Sequence, residues 1–196
     1  MKQRDHRALA RFFIKRYRDC SCLKTPMRRW LFTVGNVIPD YLPLTYARGL
    51  RRSHALKGHH CAYSAPHIRK KLSYFEKNGI GRAWDCFSFG MLMHYVADAF
   101  TYAHAENFRG DLKQHRAYER RLHTYVHGKL ENTAARCDLE ADASPEMLFD
   151  RFLNAYRDCK TDETRAERDS RYISDICEKI FFILCVCARE EGTENA

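Results

Sequence analysis

The sequence predicts an all-α protein, a helical bundle of roughly seven helices packed about one core, with residues 1–196 forming a single domain. Three observations predict it. Helix breakers are few, with 9 Gly and 5 Pro in 196 residues. Runs of β-branched residues are scarce, which removes the usual strand signal. Apolar residues recur at three- and four-residue spacing in segment after segment, the period of a helix with one buried face. A chain of this length can bury a sizeable core.

The elements follow in order. Residues 6–18 carry an apolar stripe of Leu9, Phe12, Phe13 and Tyr17 against a wet face of Arg7, Arg11, Lys15 and Arg18, with Asp5 as the N-cap. Residues 20–25 read as a loop. Cys20 and Cys22 stand two apart rather than three, so they read as structural and not as a zinc or redox pair. Pro26 opens a short helix through Phe32. Residues 34–40 read as a turn, in which Gly35 permits a positive φ and Pro39 fixes the chain before Asp40. After a loop over 41–53, residues 64–77 make a helix with Ile68, Leu72 and Phe75 inward and His67 on the surface. Asn78 to Gly81 turn into the central helix, 82–103, and a loop after His104 leads to a helix over 112–130. Residues 131–143 form an acidic, polar linker. Ser144 as N-cap and Pro145 at the first helical position open a helix over 144–159, which buries Leu148, Phe149, Phe152, Leu153 and Tyr156. The last helix, 162–189, starts charged and ends apolar at Ile173, Ile176, Ile180, Phe181, Leu184 and Val186.

No apolar run is long enough to span a membrane; the longest is 180–188. The first ten residues are basic but contain Asp5 and no long apolar stretch, unlike a secretory signal. Nine cysteines, an odd number without framework spacing, predict free thiols in a reducing compartment, and so a cytoplasmic protein. The net charge of +9, from 34 Lys and Arg against 25 Asp and Glu, draws the chain to polyanions: phospholipid surfaces, nucleic acid or phosphorylated small molecules. The charge does not choose among them.

The chemistry concentrates in 87–119. His94 and Asp98 form one i,i+4 pair and His115 and Glu119 another, and four-residue spacing puts both members of a pair on one helix face, where a divalent cation can be gripped by both. His104 lies between them. Imidazole and carboxylate without thiolate is the ligand set of a catalytic zinc site. His94 and Asp98 also sit among Met91, Leu92, Met93, Val96, Ala97 and Phe100, where bare polar groups are costly and need partners.

The stretch HYVADAFTYAHAENF, followed by HRAYE, resembles the metal-binding core of the bacterial zinc-dependent phospholipase C family, which is structurally related to the fungal single-strand-specific nucleases. The family pattern H-x3-D, a third His, then H-x3-E maps onto His94, Asp98, His104, His115 and Glu119; its Asp-Tyr and Ser-His map onto Asp40-Tyr41 and Ser53-His54. His59 and His60 stay open as alternatives to His54. The resemblance implies the helical fold and two or three Zn2+ ions. Asp40, His54, His94 and Asp98 would hold one, His104, His115 and Glu119 the second, and His6 with the other oxygen of Asp98 a weaker third. In the family a leading Trp also offers its amine to the third ion; that Trp is absent here, and a Met1 amine stays open without joining the expected set. His123 and His127 continue the face of Glu119 at four-residue steps, but the family does not use them and they read as exposed.

The resemblance further implies hydrolysis of glycerophospholipids between glycerol and phosphate by a zinc-activated water, with Asp40 accepting its proton or holding a metal. Tyr41 fits an aromatic position that cradles a choline cation. Arg51, however, stands where an aromatic partner is expected and favours anionic groups. The expected partner is a phospholipid or another phosphodiester, with peripheral membrane contact through basic surface. Two alternatives remain: a zinc-dependent single-strand nuclease and a non-catalytic zinc-binding protein. Against the nuclease, Glu119 stands where those enzymes tend to have Asp, and no aromatic-rich strand-binding surface is visible.

Overall fold

Hydroxyl caps set where several of the helices begin. Thr25 Oγ1 accepts from the N–H of Arg28 at 3.3 Å, and Ser144 Oγ from that of Met147 at 3.2 Å, so each satisfies a donor that the first turn leaves open. A computed structural model describes residues 1–41, 61–105, 108–132, 144–159 and 163–186. Among them lie α1 (Gln3–Arg16), α2 (Pro26–Val37), α3 (Cys61–Asn78), α4 (Ala83–Ala99), α5 (Leu112–Asn132), α6 (Pro145–Asp158) and α7 (Arg165–Cys185). Short 3-10 turns cover Ser21–Leu23, Ile38–Asp40 and Tyr102–His104, and no strand occurs among the described residues. The all-α class is therefore the one the sequence predicts. No helix among the described residues is long and apolar enough to cross a membrane.

α4 is the axis of the molecule. From Cys86 to Ala99 nearly every residue is buried, so this helix is apolar almost all round rather than striped. Within the core, one cluster of rings joins Phe13, Phe32, Phe89 and Phe181, from α1, α2, α4 and α7. Phe13 and Phe181 stack at 4.6 Å between ring centroids, and Phe89 meets Phe181 at 5.4 Å. Each such ring, once buried, contributes roughly 1.5–3 kcal/mol by removal from water. At the rim, Trp30 and Trp84 remain 59% and 65% exposed, and Trp84 stacks on Phe87 at 4.7 Å.

Four local expectations are corrected. α1 starts at Gln3, so Asp5 is not the N-cap but lies in the first turn, its Oδ2 accepting the Lys2 N–H at 3.2 Å. α2 runs on to Val37, which puts Gly35 inside a helix and not in a turn; the described glycine with positive φ is Gly79, at 64°. What Gly35 supplies is the absence of a side chain. A Cβ there would run into the carbonyl oxygen of Phe87, and a Cβ at Gly90 would run into that of Phe32, so the two glycines let α2 and α4 cross backbone to backbone. α4 stops at Ala99, short of the expected 103, because tertiary hydrogen bonds capture the next turn: the Tyr102 N–H donates to Asp169 Oδ2 at 2.8 Å and to the Tyr118 hydroxyl at 3.2 Å. His67 is half-buried and meets Tyr95 edge-on at 6.1 Å rather than lying free on the surface.

Candidate metal centre

The crossing of α2 and α4 orients the first ligand. His94 is fully buried on α4, and its Nδ1 lies 2.9 Å from the carbonyl oxygen of Asn36 on α2. A carbonyl only accepts, so the proton sits on Nδ1 and Nε2 presents its lone pair. That lone pair faces Asp98 Oδ2 at 3.3 Å and Asp40 Oδ1 at 3.7 Å. Asp40 arrives on the 3-10 turn that ends α2. From α1, the buried ring of His6 stacks on that of His94 at 3.8 Å and sets its Nε2 3.3 Å from Asp98 Oδ1. His6, Asp40, His94 and Asp98 thus offer four ligand atoms within 4.8 Å of one another.

A second group adjoins it. His104 on its 3-10 turn, with His115 and Glu119 on α5, again offers ligand atoms within 4.8 Å of one another. His115 Nε2 stands 3.4 Å from Glu119 Oε1, as the i,i+4 spacing requires. The Met1 nitrogen lies buried between the groups, 2.8 Å from Asp98 Oδ1, 3.3 Å from His104 Nε2 and 3.9 Å from Glu119 Oε1. Asp98 therefore borders both groups, one oxygen turned to His6 and Met1 and the other to His94, with His104 Nδ1 at 4.0 Å.

The electrostatics describe a pocket that wants positive charge. Burial works to raise the Asp98 carboxyl, yet the Met1 amine, His104, His94 and His6 hold it well below its ordinary 3.8. Glu119 is likewise lowered against burial, by the hydrogen bond from His115 and by the Met1 amine. His6 is pushed down to about 3, by burial first and His94 next, and neither of its buried ring nitrogens has a hydrogen bond. A buried imidazole without hydrogen bonds, facing carboxylates, is what a metal ion would satisfy. The residues present fit zinc.

These shifts fix a pH dependence for the metal-free protein. Between pH 6.5 and 3 an unfolded His6 takes up a proton that the folded one refuses, so its stabilisation is present above 6.5 and fades as pH falls. Asp98 adds a loss of the same sign below 3.8. In chelator, the melting temperature should fall steadily as pH drops below 6.5, and His6→Ala should remove the upper part of that slope.

Tyr41 follows Asp40 and stands 57% exposed. His54, its alternatives His59 and His60, and Arg51 lie outside the described residues.

Several contributors carry no motif. The Asn36 carbonyl acts through the backbone, which no side-chain pattern reveals. Asp169 on α7 is fully buried; it accepts from the Tyr102 N–H, from the Tyr118 hydroxyl, from the Tyr156 hydroxyl at 2.9 Å and from Arg168 at 3.0 Å. It thereby ties the turn bearing His104 to Tyr118, the neighbour of Glu119. Asp169→Asn replaces an acceptor by a donor inside this knot. The expected cost is about 1–3 kcal/mol of stability and roughly tenfold weaker zinc binding, read by thermal melting and by chelator competition.

A family profile described as zinc dependent phospholipase C matches residues 7–179. No curated protein and no solved structure matches the chain.

Proposed function

Because the chain belongs to the zinc-dependent phospholipase C family, we propose that it is a metal-dependent phosphodiester hydrolase acting on glycerophospholipids, built as one domain over residues 1–196. The observation that carries this reading is the pair of ligand groups meeting at the carboxylate of Asp98. Asp40, His94 and Asp98 would hold one ion, with His54 as a further ligand on the strength of the resemblance. His104, His115 and Glu119 would hold a second, and His6, which stands with the first group, would hold a third with the other oxygen of Asp98.

A cleft of about 580 Å³ lies over these groups. Asp40, His115 and Glu119 line it, and Lys2, Arg4 and Arg116 bring three cations to the same walls. Those cations suit the non-bridging oxygens of a phosphodiester and orient it against the ligand groups. Bound zinc supplies a water of near-neutral pKa and offsets the charge on the reacting oxygens. Asp40, on the cleft wall, takes the proton of the attacking water or serves as a ligand. The hydrogen bond from His94 Nδ1 to Asn36 keeps that ring in the metal-binding tautomer. Tyr41 offers an exposed aromatic face to the head group. Among the described residues, Cys86, Cys177 and Cys185 are buried thiols in no disulfide, which supports a reducing, cytoplasmic setting.

The test combines metal analysis with three substrates: a soluble chromogenic phosphocholine ester, phospholipid vesicles and single-stranded DNA. The expected result is about two to three zinc ions per chain, with ester and phospholipid cleavage that a chelator abolishes and zinc restores. Cleavage of DNA alone would move the protein to the nuclease branch. Failure to bind zinc would end the reading.

A further inference from the structure

One cluster of metal-type side chains takes no part in that chemistry. Asp5 on α1 is fully buried, and α5 turns two histidines toward it. His123 Nδ1 contacts Asp5 Oδ1, and His127 Nε2 stands 3.8 Å from the same oxygen. The two rings lie 4.3 Å apart between centroids, one helical turn from each other. The sequence reading of both histidines as simply exposed is therefore incomplete: His123 is 25% and His127 41% exposed, with their ring nitrogens turned inward.

We propose that Asp5, His123 and His127 form a separate site for a divalent cation of the zinc class, which clamps the first turn of α1 to α5. Three features carry it. The three donor atoms lie within 4.8 Å of one another. Ligands around a tetrahedral zinc at about 2.0–2.2 Å stand roughly 3.3–3.6 Å apart, so small ring rotations suffice. His127 Nε2 is shut off from water and has no hydrogen-bond partner, although the rest of its ring reaches solvent. A buried nitrogen with nothing to bond is costly, and a cation would satisfy it. The carboxylate is also held in place, because the Lys2 N–H takes Asp5 Oδ2 and leaves Oδ1 toward the histidines.

Two imidazoles and one carboxylate leave a coordination position open to water, and the absence of thiolate points to zinc-class ions rather than to softer ones. The site shares no ligand with the pair of groups around Asp98. Asp5 and His6 are neighbours in sequence, but successive side chains on a helix point about 100° apart, so one faces α5 and the other Asp98. An ion here would join the turn that carries His6 to the helix that carries His115 and Glu119. Part of the fold's stability would then depend on this ion.

The test counts ions without reference to activity. The full chain is saturated with zinc, desalted and weighed by native mass spectrometry beside His127→Ala and His123→Gln, with circular dichroism to verify folding. Each folded variant should carry one ion fewer than the unaltered chain. In the unaltered chain, zinc titration followed by NMR of the histidine rings should shift the signals of His123 and His127 together. Equal ion counts overturn the site and leave a hydrogen-bonded Asp–His pair. Loss of more than one ion in His127→Ala also overturns it, since the ring would then support the main centre. Ring signals that stay unmoved by zinc overturn it without any substitution.

Discussion

Asp98→Asn is expected to lower both metal content and phosphodiester hydrolysis by on the order of 100-fold or more, since loss of a ligand should exceed the 10–100-fold typical of groups one shell further out. Its carboxylate faces three partners at once. One oxygen stands 2.8 Å from the Met1 nitrogen and 3.3 Å from His6 Nε2, the other 3.3 Å from His94 Nε2. An asparagine keeps the shape but removes the charge and turns a donor toward at least one of these partners. Two buried imidazoles and a buried amine would then face a neutral group, and the attraction that holds the start of α1 against α4 would be gone. Elemental analysis and ester hydrolysis check this together. Near-normal turnover in a variant of reduced metal content would sink the proposed scheme.

Gly90→Ala should cost about 3 kcal/mol, the upper end of the range for overpacking a tight interior. For a chain of this size that is a fall of roughly 6–12 °C in melting temperature. The added methyl would meet the Phe32 carbonyl oxygen, with Asn36 N at 2.9 Å and the Gly35 carbonyl carbon at 3.1 Å. All of these are backbone atoms, so α2 and α4 must move apart. The movement also draws the Asn36 carbonyl away from His94 Nδ1, and zinc affinity should drop about 10–100-fold along with stability. Calorimetry and zinc competition read the two effects. A variant that melts with the parent would show that the crossing has slack the geometry does not suggest.

How much of this was legible in the sequence depends on how local each feature is. His94 with Asp98, and His115 with Glu119, are one turn apart on a single helix, and periodicity alone places each pair on one face. The helical class is legible for the same reason. Gly35 reads as a turn residue because a glycine serving positive φ and a glycine serving close approach look alike in one dimension. Gly90 carries no signal of its own within an apolar run. Asp169 sits in RAERDSR, whose charges read as a solvated helix start, yet the fold closes over it with two tyrosine hydroxyls. The end of α4 at Ala99 followed from hydrogen bonds to residues 118 and 169, beyond the reach of any local pattern. Asp5 reads as a cap because caps and inward-facing acids of the first turn share the same few positions.

The placement of the tryptophans has a practical corollary. The chain has 2, and both indoles look outward, on α2 and at the start of α4. An indole that is already wet has little colour change left to give when the core melts. The protein's own ultraviolet emission will therefore follow events at its rim, such as the approach of a lipid surface to those two helices, more faithfully than it follows unfolding.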